Sequence, residues 1–384
     1  MELTGGNCLS LLATGGEYFP ALEAAIGGAK REVFLESYIY ADDATGRRIT
    51  AALAAAARRG VAVQLMVDGF GSRLLSLALR RTLEDAGVRL QVYGPDISPL
   101  PLRRRRLRRM HRKLAAVDGR LAFVGGINII NDLGADSPAQ PRYDYAVQIE
   151  GPLAAEVRTA LSRLWLRVAW EHVRRAERLL PPPPPPAARC GDTAAALVVR
   201  DNFRHRADIE EAYLDAIAAA REEIVIANAY FLPGRRFRHA LTDAARRGVR
   251  VVLLLQGRAD HPLQHYASLA LYGTLLEAGV EIYEYHKSML HAKVAVIDHR
   301  WATVGSSNID PFSLLLAREA NVVVEDARFA ARLRLSLHQG MEEGAMVVPP
   351  ARWRQQPLAR RVRIWIAYAL VRLMMGLAGY GRPH

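Results

Sequence analysis

Two stretches of the sequence share a pattern of side chains that could carry out chemistry on phosphorus. Residues 111–130 read HRKLAAVDGRLAFVGGINII and residues 291–310 read HAKVAVIDHRWATVGSSNID, and both obey H-x-K-x4-D-x6-G-x2-N. The shared residues are His111, Lys113, Asp118, Gly125 and Asn128 in the first copy, and His291, Lys293, Asp298, Gly305 and Asn308 in the second. One chance copy is expected about once in ten thousand chains of this size. Two copies in one chain therefore indicate a functional site.

These residue types suit attack on a phosphodiester. That reaction needs a nucleophile on phosphorus, an acid on the leaving oxygen and positive groups over the other oxygens. Two halves facing each other would supply a neutral imidazole that attacks and a protonated one that donates. The lysines would hold the phosphate charge, and Asn128 and Asn308 would donate hydrogen bonds to it. The scheme requires no metal and no cofactor.

The spacing also divides each signature between two faces of a strand. Side chains two apart on a strand point the same way, so each histidine and its lysine face one site together. Asp118 and Asp298 stand at odd separations from both and adjoin a turn. We keep them among the signature residues of the catalytic site, but their spacing favours bracing the turn or a neighbouring element over contact with substrate.

A nucleophilic imidazole is held in one tautomer by a carboxylate on its other nitrogen. After each signature comes a matching strand, YDYAVQIEG and then REANVVVED, whose paired acids keep the same six-residue separation. Asp144 and Glu319 are the candidates for orienting His111 and His291, in that order.

The signatures lie in a chain that repeats itself. GAKREVFLESYIY (28–40) matches AREEIVIANAYF (220–231), AARRGVAVQLMVDG (56–69) matches AARRGVRVVLLLQG (244–257), and LEDAGVRLQVY (83–93) matches LEAGVEIYEY (276–285). Helical stretches alternate with short apolar runs, and each signature reads as a strand, a tight turn and a strand. The sequence therefore predicts an α/β fold with two mixed sheets flanked by helices, pseudo-twofold symmetry and one active site at their junction.

The run from Pro181 to Pro186 is stiff and cannot continue a helix, so it reads as a spacer. We predict an N-terminal half at 1–180 with the first signature, a linker at 181–189, and a C-terminal half at 190–350 with the second. A basic and apolar tail would occupy 351–384.

Composition limits the class of protein and its partners. The 384 residues are 51% apolar, enough for a core in each half, and a formal charge of +13 favours a polyanion such as a phospholipid surface or a nucleic acid. Cys8 and Cys190 cannot make a disulfide framework, and the first residues lack a secretory pattern. We therefore expect a cytoplasmic chain.

Two segments could contact an anionic membrane. PLRRRRLRRM (101–110) carries six arginines and would otherwise be a solvated loop. RRVRIWIAYALVRLMMGLAGYG (360–381) is apolar, but Arg372 interrupts it and leaves apolar segments shorter than the ~20 residues of a membrane span. A helix lying in the membrane interface and a helix packed on the protein core both fit this segment.

At these residues, and over both halves, the chain resembles the phospholipase D superfamily. HAKVAVIDHRWATVGSSNIDPFSL is similar to the second motif of bacterial cardiolipin synthases, and HRKLAAVDGRLAFVGGINI is similar to the first motif of their B type. The resemblance implies a phosphatidyl-histidine intermediate that passes to the hydroxyl of phosphatidylglycerol, giving cardiolipin and releasing an alcohol. It implies phosphatidylglycerol, and also phosphatidylethanolamine, as substrates, and peripheral attachment to the cytoplasmic face of the bacterial cell membrane. In several relatives the first-half histidine attacks, which implies His111 as nucleophile and His291 as acid. The sequence itself is symmetric on this point and leaves the opposite assignment open.

Other functions fit the same signatures. A phospholipase that uses water as the acceptor would produce phosphatidic acid through the same phosphohistidine. A phosphodiesterase or nuclease would use the basic surface to bind nucleic acid, which we consider the less fitting partner. A membrane adaptor without activity is disfavoured by two complete signatures.

Overall fold

The computed structural model describes residues 1–94, 108–132, 140–171, 187–201, 205–259, 261–310 and 317–375. Most of the basic segment 101–110 lies outside the described residues. Pro181 to Pro186 of the predicted linker and the last nine residues of the predicted tail also lie outside the described residues.

The N-terminal half alternates strands and helices, as its apolar periodicity predicts. Its strands are β1 (Thr4–Ala13), β2 (Glu32–Ser37), β3 (Ala62–Asp68), β4 (Arg89–Tyr93), β5 (Arg109–Met110), β6 (Leu114–Val117), β7 (Leu121–Gly125) and β8 (Tyr145–Glu150). Its helices are α1 (Thr14–Gly28), α2 (Ala44–Arg58), α3 (Leu77–Asp85) and α4 (Pro152–Glu171).

The C-terminal half repeats this succession and extends it. Its strands are β9 (Thr193–Arg200), β10 (Glu223–Asn228), β11 (Arg250–Gln256), β12 (Glu281–Tyr285), β13 (Lys293–Ile297), β14 (Trp301–Gly305), β15 (Ala317–Glu325) and β16 (Ala345–Val347). Its helices are α5 (Asp208–Ala219), α6 (Arg235–Arg246), α7 (Pro262–Leu269), α8 (Tyr272–Glu277), α9 (Ala327–Gly344), α10 (Pro350–Arg354) and α11 (Leu358–Met375).

The strands lie in the order β16-β12-β11-β10-β13-β14-β15-β9-β1-β8-β7-β6-β2-β3-β4, and β5 pairs with β15. Outward from the antiparallel β1–β9 pair, both halves show the same succession of strands. Each half is mixed, since β2–β3 and β10–β11 are parallel whereas β6–β7 and β13–β14 are antiparallel. The predicted α/β fold with pseudo-twofold symmetry is confirmed, but the β1–β9 pair joins the two predicted mixed sheets edge to edge into one large mixed sheet.

Repeated sequence produces repeated local structure at the helix ends. Each AARRG stretch ends a helix at a glycine in the left-handed region, Gly60 with φ 89° and Gly248 with φ 90°. The arginine before each glycine, Arg59 or Arg247, donates from Nη2 to a carbonyl near the end of the preceding helix at 3.0 Å. The chain then enters β3 or β11.

In the part of the chain that the structure describes, apolar side chains form three cores. One lies beneath the outer helices of each half, and the third combines strands of both halves with α4 and α9. In α4, Leu161, Leu164, Trp165 and Val168 are at most 3% exposed, as their helical spacing predicts. The shared core holds the halves together, because separating them would expose its apolar surface to water.

Helix α11 carries the apolar segment of the predicted tail. Ile364, Ala367 and Val371 are buried where the helix packs along α7. The opposite face exposes apolar side chains, namely those of Leu358, Val362, Trp365, Ile366, Leu370, Leu373 and Met374. The predicted packing on the core is thus found for one face only. Among the described residues, no helix combines the length and the apolar character needed to cross a bilayer.

Candidate active site

Both signature histidines line one cavity of about 340 Å³, to which both halves contribute. Asn128 and Asn308 also line it. The structure therefore brings the two signatures together at the junction of the halves.

Each histidine is held by backbone of the other half. The N–H of His111 donates to the carbonyl of Arg318 at 2.9 Å, where β5 pairs in parallel with β15. The N–H of His291 donates to the carbonyl of Tyr143 at 2.9 Å, beside an isolated bridge between Tyr143 and Leu290. The segment before each signature thus runs along the acidic strand of the opposite repeat.

This docking makes the carboxylate pairing crosswise. His111 Nδ1 lies 3.0 and 3.1 Å from the two carboxylate oxygens of Glu319, and His291 Nδ1 lies 2.6 Å from Asp144 Oδ2. The predicted acids do contact the signature histidines, but the predicted order, with Asp144 on His111 and Glu319 on His291, is wrong. The reason is physical: each acid follows its own signature in the chain, yet its strand end lies against the other half.

The residues beside the two carboxylates differ between the halves. The hydroxyl of Ser306 donates to Glu319 Oε2 at 2.6 Å. The matching residue of the first half is Gly126, where an added Cβ would lie 2.3 Å from Asp144 Oδ1. Gly126 therefore leaves the room that Asp144 needs, whereas Ser306 uses the equivalent space for a hydrogen bond.

Both signature lysines are buried beside their histidines. Lys113 Nζ donates to the carbonyl of His111 at 2.7 Å, and Lys293 Nζ makes the same contact with the carbonyl of His291. Burial lowers the pKa of Lys113 to about 7, although the Glu319 charge opposes that effect. An anion entering the cavity would favour the charged form of this ammonium group.

Burial also favours the neutral form of both imidazoles. It lowers the pKa of His111, with Glu319 acting in the opposite direction, and it lowers the pKa of His291 to about 3. The neighbouring lysine charges add to the lowering at both rings. Each ring directs Nδ1 at a carboxylate, so Nε2 is the nitrogen left for chemistry.

The signature aspartates brace the backbone. Asp118 accepts from the N–H groups of residues 30, 31 and 32 at 2.8–3.0 Å, and Asp298 accepts from those of residues 221, 222 and 223 at 2.8–3.1 Å. Neither residue lines the cavity. Their grouping with the catalytic residues is therefore corrected: they hold the start of β2 and β10 against the hairpin turn, the role that their odd spacing favours.

Asn128 is held by the backbone of its own half. Its Oδ1 accepts from the N–H of Ile39 at 3.0 Å. Its amide nitrogen is therefore the atom left to donate toward the cavity that Asn128 and Asn308 line.

Several residues that position the site were not singled out from the sequence. Asp68 Oδ2 accepts from the N–H of Met110 at 2.8 Å, and Gln256 Oε1 accepts from the N–H of Leu290 at 3.2 Å, so each fixes the residue before a signature histidine. Their matched places in the repeated segments LMVDG (65–69) and LLLQG (253–257) were the available signal. Tyr38 gave no such signal, because its counterpart is Ala229; its ring packs edge-on against His111 with centroids 4.7 Å apart.

A comparison with family models finds that "Cardiolipin synthase, PLD-like domain" matches residues 22–165 and 213–339. The chain is 41% identical over 343 residues to cardiolipin synthase B of Escherichia coli (strain K12), covering 87% of this chain and 80% of that protein. It is 30% identical over 332 residues to the major cardiolipin synthase ClsA of Bacillus subtilis (strain 168), covering 86% and 68%.

Two solved structures share the fold. The phosphatidylserine synthase of Haemophilus influenzae Rd KW20 aligns with a TM-score of 0.70 at 14% identity, covering 95% of this chain and 93% of that one. The polyphosphate kinase of Porphyromonas gingivalis aligns with a TM-score of 0.58 at 15% identity, covering 97% and 53%. The resemblance predicted from the two signatures is confirmed by the family model and by the curated relatives. The chain belongs to the cardiolipin synthase family of phospholipase D-like phosphatidyltransferases.

Proposed function

We propose that this protein makes cardiolipin by transferring a phosphatidyl group from a phospholipid to the hydroxyl of phosphatidylglycerol through a phosphohistidine. The observation that supports this most directly is the pair of histidines in one cavity, each held at Nδ1 by a carboxylate of the opposite half. The family membership supports phospholipids as substrates.

In the first step, Nε2 of His111 attacks the donor phosphorus and forms a nitrogen–phosphorus bond. The bond from phosphorus to the leaving oxygen breaks, and His291 gives its proton to that oxygen. Although burial favours the neutral ring, the negative charge of a bound phosphate favours the imidazolium that this step needs. The lysines and Asn128 and Asn308 hold the charge on the other phosphate oxygens. With phosphatidylglycerol as donor the alcohol released is glycerol.

In the second step, neutral His291 takes the proton from the acceptor hydroxyl, whose oxygen attacks phosphorus. The nitrogen–phosphorus bond breaks, His111 is restored, and the product is cardiolipin. Water in place of the acceptor would give phosphatidic acid by the same route, which is why hydrolysis is the nearest rival function.

The two-histidine scheme predicts that His111→Ala and His291→Ala each lower turnover at least about a hundredfold. The matched control is His239→Ala, which removes an exposed histidine of α6 that does not line the cavity. Product formation would be followed by lipid mass spectrometry. Near-wild-type turnover in either signature variant would contradict the scheme.

The reaction itself is tested by supplying phosphatidylglycerol with and without phosphatidylethanolamine and identifying the products. Cardiolipin from phosphatidylglycerol alone supports the proposal with this lipid as donor and acceptor, and formation only with both lipids identifies phosphatidylethanolamine as the donor. Phosphatidic acid without cardiolipin would establish the hydrolase instead. Cleavage of an oligonucleotide without any lipid product would establish the nuclease.

We further propose that the exposed apolar face of α11 lies on an anionic bilayer, at the cytoplasmic face of the cell membrane. The residues of this face recur three or four positions apart, which gathers them into one stripe. Arg360, Arg361, Arg363 and Arg372 lie on the same helix. At ~1 kcal/mol for each basic residue near such a surface, four arginines contribute at most ~4 kcal/mol, about three decades in binding.

The position of α11 supports this attachment. It packs along α7, and His261 and Gln264, immediately before and within α7, line the active cavity. A bilayer on the exposed face would therefore lie next to the site that must receive lipid headgroups.

Vesicle flotation tests the attachment. Trp365→Glu combined with Ile366→Glu should abolish flotation with phosphatidylglycerol vesicles, because both side chains are more than half exposed and would carry charge into the interface. Leu335→Glu, which alters an exposed leucine on α9, serves as the control and should float like the wild type. Unchanged flotation of the double variant would rule out α11 as the contact.

A further inference from the structure

Arg142 is a cation in the wall of the active cavity that the mechanism above does not use. Its N–H donates to the carbonyl of Asp132 at 3.0 Å, which fixes the backbone. Its guanidinium makes a long hydrogen bond, 3.4 Å from Nη1 to the carbonyl of Asn131, and its buried Nε has no partner. Arginine stays charged in proteins and offers five donors, so most of this donor capacity is open to a ligand.

Two acidic residues of the same cavity wall accept hydrogen bonds from other groups, and the charge of Arg142 lowers the pKa of Asp132 against the larger effect of burial. Asp144 accepts from His291 at 2.6 Å, and Asp132 accepts from the N–H of Gly15 at 3.0 Å. Within the described ranges, no carboxylate forms an ion pair with Arg142. The guanidinium therefore remains available to an anion in the cavity.

The second repeat has no cation at the position that matches Arg142. Arg142-Tyr143-Asp144 corresponds to Ala317-Arg318-Glu319 in the second half. The matching position is thus an alanine, and Arg318 next to it donates to the hydroxyl of Tyr93 at 3.1 Å. Two otherwise similar signatures consequently face chemically different walls.

Arg142 lies on the His291 side. It precedes Tyr143, whose carbonyl accepts from the N–H of His291, and Asp144, whose carboxylate contacts the His291 ring. In the proposed reaction this is where the leaving alcohol departs and where the acceptor hydroxyl must arrive.

The acceptor brings its own anion to that side. In phosphatidylglycerol the attacking hydroxyl is separated from the lipid's phosphorus by a three-carbon glycerol, which places that phosphorus about 6 Å from the attacking oxygen. Water and free glycerol carry no such group. A guanidinium placed beside that phosphorus would bind the phosphodiester through two parallel N–H donors.

We propose that Arg142 binds the phosphodiester of the acceptor lipid and thereby favours transfer over hydrolysis. This inference rests on the proposed function, because it concerns the second lipid of the same reaction. Arg142 acts here as a specificity residue, and the transferred phosphate remains with the histidines and lysines.

Competition between two acceptors tests this assignment. Arg142→Ala should lower transfer to phosphatidylglycerol about ten- to a hundredfold, the effect of one charge-assisted hydrogen-bonding group. Transfer from a phosphatidylethanolamine donor to free glycerol should stay near the wild-type rate, which also shows that the variant folds. Arg142→Lys should recover part of the transfer to phosphatidylglycerol, because lysine keeps the charge but lacks the two parallel N–H donors of a guanidinium. Arg163→Ala, an exposed arginine of α4 outside the cavity wall, is the charge-matched control.

The outcomes separate this inference from the function on which it rests. A fall in lipid transfer with glycerol transfer retained, and a higher proportion of phosphatidic acid, supports it. Equal loss of both transfers, or an unchanged ratio between them, overturns it. A wild-type protein that makes no cardiolipin would overturn the proposed function, and this inference with it.

Discussion

Replacing Glu319 with glutamine tests which histidine each carboxylate serves. The Glu319 side chain is 0% exposed, and its oxygens lie 3.0 and 3.1 Å from His111 Nδ1. Glutamine keeps the shape and an acceptor oxygen but removes the negative charge. For charge centres ~4 Å apart at an effective dielectric constant of ~20, that charge favours the imidazolium by about 4 kcal/mol. The pKa of His111 is therefore expected to fall in the variant.

The pH dependence of activity then distinguishes the roles of the two rings. Glu319 raises the pKa of His111 against the effect of burial, so its replacement lowers that pKa further. A nucleophile must be neutral, and activity rises with pH through its pKa. If His111 attacks, Glu319→Gln moves the acidic limb of the pH–rate profile to lower pH. Asp144→Asn lowers the pKa of His291 instead and moves the basic limb, which reports the protonated acid, to lower pH.

The assay combines this profile of kcat/KM with NMR titration of labelled histidines. Glu150→Gln, which changes the exposed acid at the end of β8, is the control and should leave both rings unchanged. A lowered pKa at His291 with His111 unaffected in Glu319→Gln would refute the crosswise pairing. Unchanged values at both rings would refute the electrostatic reasoning itself.

Three further changes have expected outcomes. Gly126→Ala should lower turnover about a hundredfold, because the added Cβ would displace Asp144. The control Gly28→Ala should leave turnover unchanged, because its added Cβ meets nothing within 4 Å. Equal effects of the two substitutions would contradict this reasoning. Inhibition by sulfate should weaken as the pH rises through about 7, because Lys113 then loses its proton. The variant Lys113→Arg keeps its charge and should bind sulfate equally across that range. An inhibition constant of the wild type that does not change with pH would contradict this prediction. His299→Gly should raise the free energy of unfolding by about 1 kcal/mol, because the φ of residue 299 is 54°, in the left-handed region that glycine adopts without strain. Chemical denaturation measures this change. An unchanged or lower denaturation midpoint would disprove the expected strain.

Features written into local patterns were predictable from the sequence. The signature hairpins are one example: Asp118-Gly119 has φ 52° and 62°, the left-handed pair of a tight hairpin turn, and Asp298-His299 repeats it with 47° and 54°. The action of each lysine charge on the histidine two residues before it agrees with the short spacing of the pair. The α/β duplication follows from matched segments, since similar sequences fold into similar units.

Features set by how the halves dock were not predictable. His111 and Glu319 are 208 positions apart, and no local pattern indicates that their strands meet. The within-half pairing failed for this reason. Tyr38 and Arg142 escaped notice because the repeat has alanine at both matching places, so comparison of the halves gave no signal for them.

The reciprocal contacts at the cavity carry a consequence for ancestry. One repeat by itself would hold an imidazole without its acid, so an unduplicated forerunner could complete the same constellation only by pairing two identical chains. Joining the copies in one gene removed the need for both to stay the same. Each was then free to specialise. The guanidinium of Arg142 and the ring of Tyr38, which alanines match in the other repeat, are changes that an obligatory pair of identical subunits would have had to carry twice.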